Sequence, residues 1–414
     1  MRLLLLFLPL MLLAQEQGLK DLIEHANKHN KNIDARVLQS KAKLEEINAQ
    51  KSAYWPTVDI GANYTKINPN SLVSPGQTTT GYVSVGVDLY DGGRKGALTR
   101  AREFEYKASL FEKQAFQKSV TLDIVNRFFT VKKYQAQLQA LREQANDLNA
   151  QIRRMKNFEG AGLAMQDQVD RLQAVYDDNQ YSIEAVKLAI VTGIEHLALE
   201  SGMKVKELKR SFFKEPNNIG FENFETVKIM NANAKALQES ANAVAAGYMP
   251  QLRVENTYSK SNYSDTADLD LGFDIDFLEE EQNSLQFSLN LRLFDGGRMK
   301  KEKEALQYQK LSLQSQSSHA SKEQEMNFKL ARSQMNTIKA QLKSAKSGLR
   351  AAQSSYKTIV KKYEEGVVDQ VTYLDALSDK SAASSRVKEV TYDYEIAKSI
   401  YYYYAGKDPK EFIK

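Results

Sequence analysis

The chain has 414 residues, with 57 Lys+Arg against 52 Asp+Glu and a net charge of +5. That near-balance gives no basic footprint, so no nucleic-acid partner is expected. The absence of cysteine excludes disulfides, thiolate metal sites and cysteine nucleophiles, and four histidines leave little for a metal or triad enzyme. The chain therefore reads as a non-enzyme, with no catalytic residue, no cofactor and no metal assigned.

Residues 1–14 form a short positive start (Arg2), an apolar run from Leu3 to Leu13 and a small residue, Ala14, which is the pattern of a secretory signal peptide. The run is too short to cross a bilayer, which takes about 20 apolar residues. No later stretch is long enough either, so any membrane span must be made of β-strands.

Beyond the leader the chain repeats itself. Tyr90-Asp91-Gly92-Gly93-Arg94 returns as Phe294-Asp295-Gly296-Gly297-Arg298, a shift of 204, and Tyr54-Trp55-Pro56 returns as Tyr248-Met249-Pro250, a shift of 194. Downstream, Val131, Tyr134, Leu138, Leu141, Ala145, Leu148, Ile152 and Met155 keep a 3-4 spacing that recurs 204 residues on, from Met335 to Ile359. A second seam, Val169 to Leu197, recurs from Tyr373 to Tyr401, with Asn179 and Lys380 as the polar breaks. Such heptads argue for coiled-coil packing. The expected organisation is a first repeat over 15–202, a linker over 203–221, a second repeat over 222–405 and a tail over 406–414.

Each repeat reads the same way in chain order. A helix (about 18–52, and about 222–247) ends before Pro56 or Pro250, because the residue before proline is driven out of helical space. Two short strands follow. A Gly-Gly turn then opens a helix of about 60 residues (about 97–158, and about 301–364). A glycine break at Gly160/Gly162, or at Gly366, precedes a returning helix.

The strands alternate. Val83, Val85, Val87 and Leu89 share one face in the first copy; Phe287, Leu289, Leu291 and Leu293 share one face in the second. Their length and period suit outer-membrane strands, with these residues facing lipid; a soluble half-buried hairpin shows the same alternation. Four strands per chain cannot close a membrane barrel, which takes at least about 8, and lipid tolerates no open edge. Strands must then be pooled between chains, two giving eight and three giving twelve. The helices carry narrow seams with polar flanks, as the wall of a water-filled tube would, or as a secreted coiled-coil scaffold or adhesin would.

In the order and duplication of these motifs the chain resembles the TolC family of outer-membrane channel proteins over nearly the whole mature length. The resemblance implies a fold that is mainly α with a small β part: duplicated halves of long coiled-coil helices plus four strands per chain. These assemble as a homotrimer with a twelve-stranded transmembrane β-barrel on an α-helical periplasmic tunnel. The implied function is an outer-membrane exit duct of a tripartite efflux pump or type I secretion system. Its implied partners are outer-membrane lipid, a periplasmic adaptor (membrane fusion) protein and an inner-membrane RND, ABC or MFS transporter. The implied location is the Gram-negative outer membrane, reaching into the periplasm.

The resemblance also implies site residues. The turns Gly162-Leu163-Ala164 and Gly366-Val367-Val368 would face the adaptor. Asp167, Tyr363, Asp369 and Asp375 would surround the pore entrance, where an Asp375 ring favours cations. Thr372 stands where the family can carry another aspartate. Val368 and Gln168 replace the arginine and aspartate of the family's gate, so closure would rest on packing and polar contacts.

The remaining candidates are weaker. His25 and His29 have a zinc-like spacing without a third ligand, and Asp-Gly-Gly-Arg lacks the ending of a phosphate loop. The acidic stretch 265–281 reads as an extension of the strands or as an outer loop for divalent cations or lipopolysaccharide. Tyr401–Tyr404 combine seam packing with an aromatic flank.

Overall fold

The computed structural model describes residues 17–71, 73–217, 219–266 and 278–414; the expected signal peptide and most of the acidic stretch lie outside them. In chain order the elements are α1 (Leu19–His29), α2 (Lys31–Ser52), β1 (Thr57–Lys66), β2 (Gln77–Tyr90), α3 (Arg94–Gly160), α4 (Gln166–Ser201), α5 (Glu225–Ala245), β3 (Gln251–Ser264), β4 (Glu281–Asn290), α6 (Arg298–Glu364) and α7 (Gln370–Tyr404). They form two units. Among the described residues, the strand unit falls within 38–111 and 228–318, and the helical unit within 17–37, 112–227 and 319–414.

The duplication is written into the backbone. Helices α3 and α6 each have 67 residues and begin and end 204 positions apart. At about 1.5 Å per residue each is about 100 Å long. Both start with the same device. Gly92 and Gly93 have φ of 72° and 85°, and Gly296 and Gly297 have 69° and 82°. Two consecutive left-handed residues are cheap only for glycine. The preceding aspartate then satisfies N–H groups that the helix start leaves unpaired. Asp91 accepts from the Gly93 and Lys95 amides at 3.1 and 2.7 Å, and Asp295 accepts from those of Gly297 and Met299 at 3.0 Å each. The motif is a turn and a cap.

In the strand unit the sheet order is β1-β2-β3-β4, all antiparallel. The two hairpins have one register: Thr57 pairs with Gly86, and the shifts of 194 and 204 turn that pair into Gln251 with Asn290, as observed. Across the sheet Ile60, Val83 and Tyr258 form one row, and Val87, Val254 and Phe287 another. One face is thus predominantly apolar on every strand, interrupted by Asn256 on β3 and Asn283 on β4. The opposite face carries Asp59, Ser84, Asp88, Arg253, Glu255 and Gln286. There Arg253 binds Asp88 and Glu255, both at 3.0 Å. One expectation is corrected: β4 ends at Asn290, so Leu291 and Leu293 lie beyond it. The reason is on the neighbouring strand, where Pro250 stands next in register after Gln251 and has no N–H to donate.

The helical unit buries the predicted seams. Val131, Leu148, Ile152, Val169, Leu172, Ile183 and Leu197 are buried in the first repeat, and Tyr373, Ala376, Val390 and Tyr401 in the second. Its largest cluster joins α1 to Phe128, Phe129, Phe213 and Tyr402. Each such side chain contributes about 1.5–3 kcal/mol by leaving water. A second correction concerns the first helix, which breaks at Asn30 into α1 and α2. The Asn30 amide donates to the Glu200 carbonyl at 2.8 Å while its oxygen accepts from the Asn32 amide at 2.9 Å. His25 Nδ1 donates to the Ser201 carbonyl at 2.7 Å, so this histidine helps satisfy the C-terminal end of α4. Among the described residues no cluster of three or more His, Cys, Asp or Glu is arranged to hold a metal.

The segment between the repeats is pinned by a buried ion pair. Lys398 and Glu395 meet at 2.7 Å with almost no exposure of either side chain. Lys398 also donates to the Phe213 carbonyl at 2.9 Å, and Glu395 accepts from the Phe213 amide at 2.6 Å. Burial raises the Glu395 carboxyl above its ordinary value, against the pull of Lys398.

Candidate functional site at the helix turns

The two turns that close α3 onto α4 and α6 onto α7 have matched backbones. Gly162 and Gly366 both sit at φ 73°. In the first turn the Gly162 amide donates to Glu159 at 2.9 Å and that of Leu163 to Phe158 at 2.8 Å; in the second, Gly366 donates to Tyr363 at 3.2 Å and Val367 to Lys362 at 2.8 Å. This pair of bonds satisfies the last carbonyls of a helix around one left-handed residue. It also leaves the next side chain, Leu163 or Val367, projecting at 77% and 66% exposure. Ala164 packs against the core behind the turn, and Val368 is half-buried.

Behind the turns lies a second apolar cluster, built from Leu148, Ile152, Met155, Val169, Leu172, Tyr373 and Leu377. Tyr363 stacks on Tyr373 with ring centres 4.9 Å apart. Burial raises both hydroxyls above the ordinary tyrosine value, so these rings stay neutral and serve as packing. Tyr356, pushed up to about 12 by burial with Asp147 adding to it, donates to that carboxylate at 3.1 Å. Lys380 reaches the same carboxylate at 3.0 Å and lies 4.4 Å from the centre of the Tyr356 ring. The polar break of the other repeat, Asn179, which falls one turn away from the counterpart of Lys380, donates to Gln144 at 3.2 Å. A single polar partner at a seam position fixes register between helices.

The four expected pore residues separate by role. Asp369 caps α7: its carboxylate accepts from the Thr372 amide at 2.9 Å and hydroxyl at 2.6 Å. Those bonds hold it below the usual carboxylate range, with Arg171 adding a smaller pull. Tyr363 belongs to the packed cluster. Asp167 and Asp375 are exposed, and neither has an ion-pair partner among the described residues. The turns are joined through Gln370, which donates to the Gln168 carbonyl at 2.9 Å, and through Arg154, 3.5 Å from Glu364. Sequence reasoning did not single out Asp147, Arg154, Glu364 or Gln370. The only signal was the polar break at Lys380, whose partner lies 233 positions away.

The model of the outer membrane efflux protein family matches residues 22–200 and again 222–400. Outer membrane protein TolC of Vibrio cholerae is 26% identical over 162 residues, a stretch covering 38% of this chain and 33% of that protein. Three solved structures share the fold. They are a membrane protein from Pseudomonas aeruginosa (TM-score 0.80, 15% identity, 94% and 93% of the two chains covered), the outer membrane protein VceC of Vibrio cholerae (0.78, 14%, 94% and 96%) and the open state of the Neisseria gonorrhoeae MtrE channel (0.72, 15%, 94% and 89%). The family is one of channels in the outer membrane, not of enzymes. With both repeats matched, the chain belongs to the outer membrane efflux protein family.

Proposed function

We propose that the chain is the exit duct of an efflux or type I secretion system, a passive conduit driven by an inner-membrane RND, ABC or MFS transporter through a periplasmic adaptor. The observation that carries this reading is the sheet. Its apolar face is exposed across all four strands, with Ile60 at 86% and Leu289 at 70%. At the end nearest the long helices stand Tyr54, Trp55, Tyr90 and Phe294, all exposed, as in the aromatic girdle of a membrane barrel. Within the chain β1 and β4 each have one unpaired edge. In hydrocarbon each unpaired backbone group costs several kcal/mol, so the edges must be closed by further copies. Three chains supply a twelve-stranded barrel wide enough to conduct. The coiled-coil scaffold reading gives no role to an exposed apolar sheet.

At the helix turns, the projecting Leu163 and Val367 form the surface offered to the adaptor, together with Gly162, Ala164, Gly366 and Val368. Asp375, exposed and unpaired among the described residues, forms a ring at the pore entrance, with Asp167 nearby. Gln370–Gln168 and Arg154–Glu364 hold the turns where the family's gate uses an arginine and an aspartate.

Reconstitution in a planar bilayer under a salt gradient tests both levels. The expected result is a cation-selective conductance whose reversal potential falls in Asp375→Asn. An unchanged potential removes Asp375 from the pore. A protein that stays in the aqueous fraction without detergent and conducts nothing overturns the duct.

A further inference from the structure

The open edges of the sheet carry unspent side chains. On the polar face Asp59 of β1 and Arg292, just past β4, are both exposed, and neither has an ion-pair partner among the described residues. Trp55 is 76% exposed and Phe294 86%. Gly296 has open space around it, whereas a side chain on its counterpart Gly92 would lie 2.4 Å from Met249 Cβ.

The repeat says what belongs there. Shifts of 204 and 194 convert the first hairpin's register into the second's, so they also convert the β2–β3 junction into a β4–β1 junction that a single chain cannot make. In the β2–β3 junction Val83 pairs with Tyr258, Val87 with Val254 and Asp88 with Arg253, followed by a bulge at Leu89 and the pair Tyr90 with Leu252. The converted pairs are Phe287 with Tyr64, Leu291 with Ile60, Arg292 with Asp59 and Phe294 with Val58. Apolar residues meet apolar residues along the row. The ion pair Asp88–Arg253, at 3.0 Å within the chain, returns with its charges exchanged. Trp55, the counterpart of Met249, falls over Gly296. Registers shifted by two keep the faces but set Arg292 against Thr57 or Gly61, leaving both charges unmatched.

We infer that β4 of one copy pairs with β1 of the next in this register, with Arg292 bound to Asp59 across the seam and the strand extended through Arg292. The inference rests on the pooled barrel of the proposed duct and specifies its contact between chains.

The full chain contains no cysteine, which makes disulfide trapping clean. Within one chain the two positions are three strand spacings apart across the sheet, about 14 Å, and further separated along the strands, too far for a disulfide, which needs Cα atoms within about 7 Å. Any bond in Asp59→Cys/Arg292→Cys must therefore join two chains. Oxidation of that variant in membranes is expected to give a ladder of linked chains, and Asp59→Cys/Ser288→Cys, four residues out of register, is expected to give none. Separately, Asp59→Arg and Arg292→Asp should each lower the detergent-stable oligomer severalfold, and the double exchange should restore it. A ladder from the Ser288 pair alone, or no rescue by the exchange, overturns the register. No ladder from a sample that conducts and has a multi-chain mass overturns this junction while sparing the duct. A single-chain mass without conductance overturns both.

Discussion

The two repeats share a backbone but not a set of side chains. Both long helices begin on an aspartate cap and two left-handed glycines, and both turns close around one more. Those features are local, and copying the motif copies them. The differences lie where each repeat meets its surroundings. At 191 and 194 the first repeat has valine and isoleucine, and the same positions of the second carry Glu395 and Lys398, which hold the linker. Met165 starts α4 with no side-chain cap bond, whereas Asp369 caps α7. Gly92 is covered by Met249, and Gly296 is open. Duplication thus supplies the frame, and the differences mark the positions that hold the linker, carry charge at the turns or leave Gly296 open.

The sharpest way to break this comparison is at the buried pair. Lys398→Met leaves the Glu395 carboxylate buried and uncompensated, and should cost about 3–5 kcal/mol. Ile194→Met at the matching position should cost less than about 1.5 kcal/mol, as volume-conserving exchanges do. Denaturation of the detergent-solubilised protein measures both, and equal losses would erase the distinction. Next is Gly92→Ala, which adds a collision with Met249 Cβ and the Ala246 carbonyl to left-handed strain. We expect about 3 kcal/mol, against about 1 for Gly296→Ala in dispersed single chains. If copies join in the proposed register, the two costs should converge in the assembled state, because Trp55 of the next copy would cover Gly296.

Much of this was legible because it is local or periodic. The seams, the proline-limited helix ends, the Asp-Gly-Gly-Arg turns and the alternating strands each follow from spacing and propensity within a short window. The break at Asn30 was not, because no Gly or Pro marks it and its partner, the Glu200 carbonyl, lies 170 residues away. Lys380 was visible as a flaw in the seam, but Asp147 and Tyr356, which give it a purpose, were invisible until the helices were paired. Asp369 shows a second omission: the resemblance pointed to its charge at the pore entrance, while its bonds to Thr372, which make it the cap of α7, were not read from the sequence.

Two smaller effects sharpen the comparison of the turns. Lys380→Ala removes an ion pair and a cation from the Tyr356 ring and should cost about 1 kcal/mol, with the loss in hydrogen exchange centred on α7 and on α3 around Asp147. The cap of α7 should also respond to pH. Because Asp369 is held below its unfolded value, its contribution is present above that value and fades as pH falls through the folded one. Amide exchange over 370–373 should quicken between neutral pH and about pH 3 relative to 166–169. No difference between the two helix starts would remove the role given to Asp369.

In the proposed duct, four strands from one chain become a membrane barrel only by joining those of other copies. The most direct test is the protein mass of the detergent-extracted form, measured by light scattering with the detergent contribution subtracted. Three chains per particle, recovered from the membrane fraction, are expected. A monodisperse single chain that remains in solution without detergent would contradict the duct.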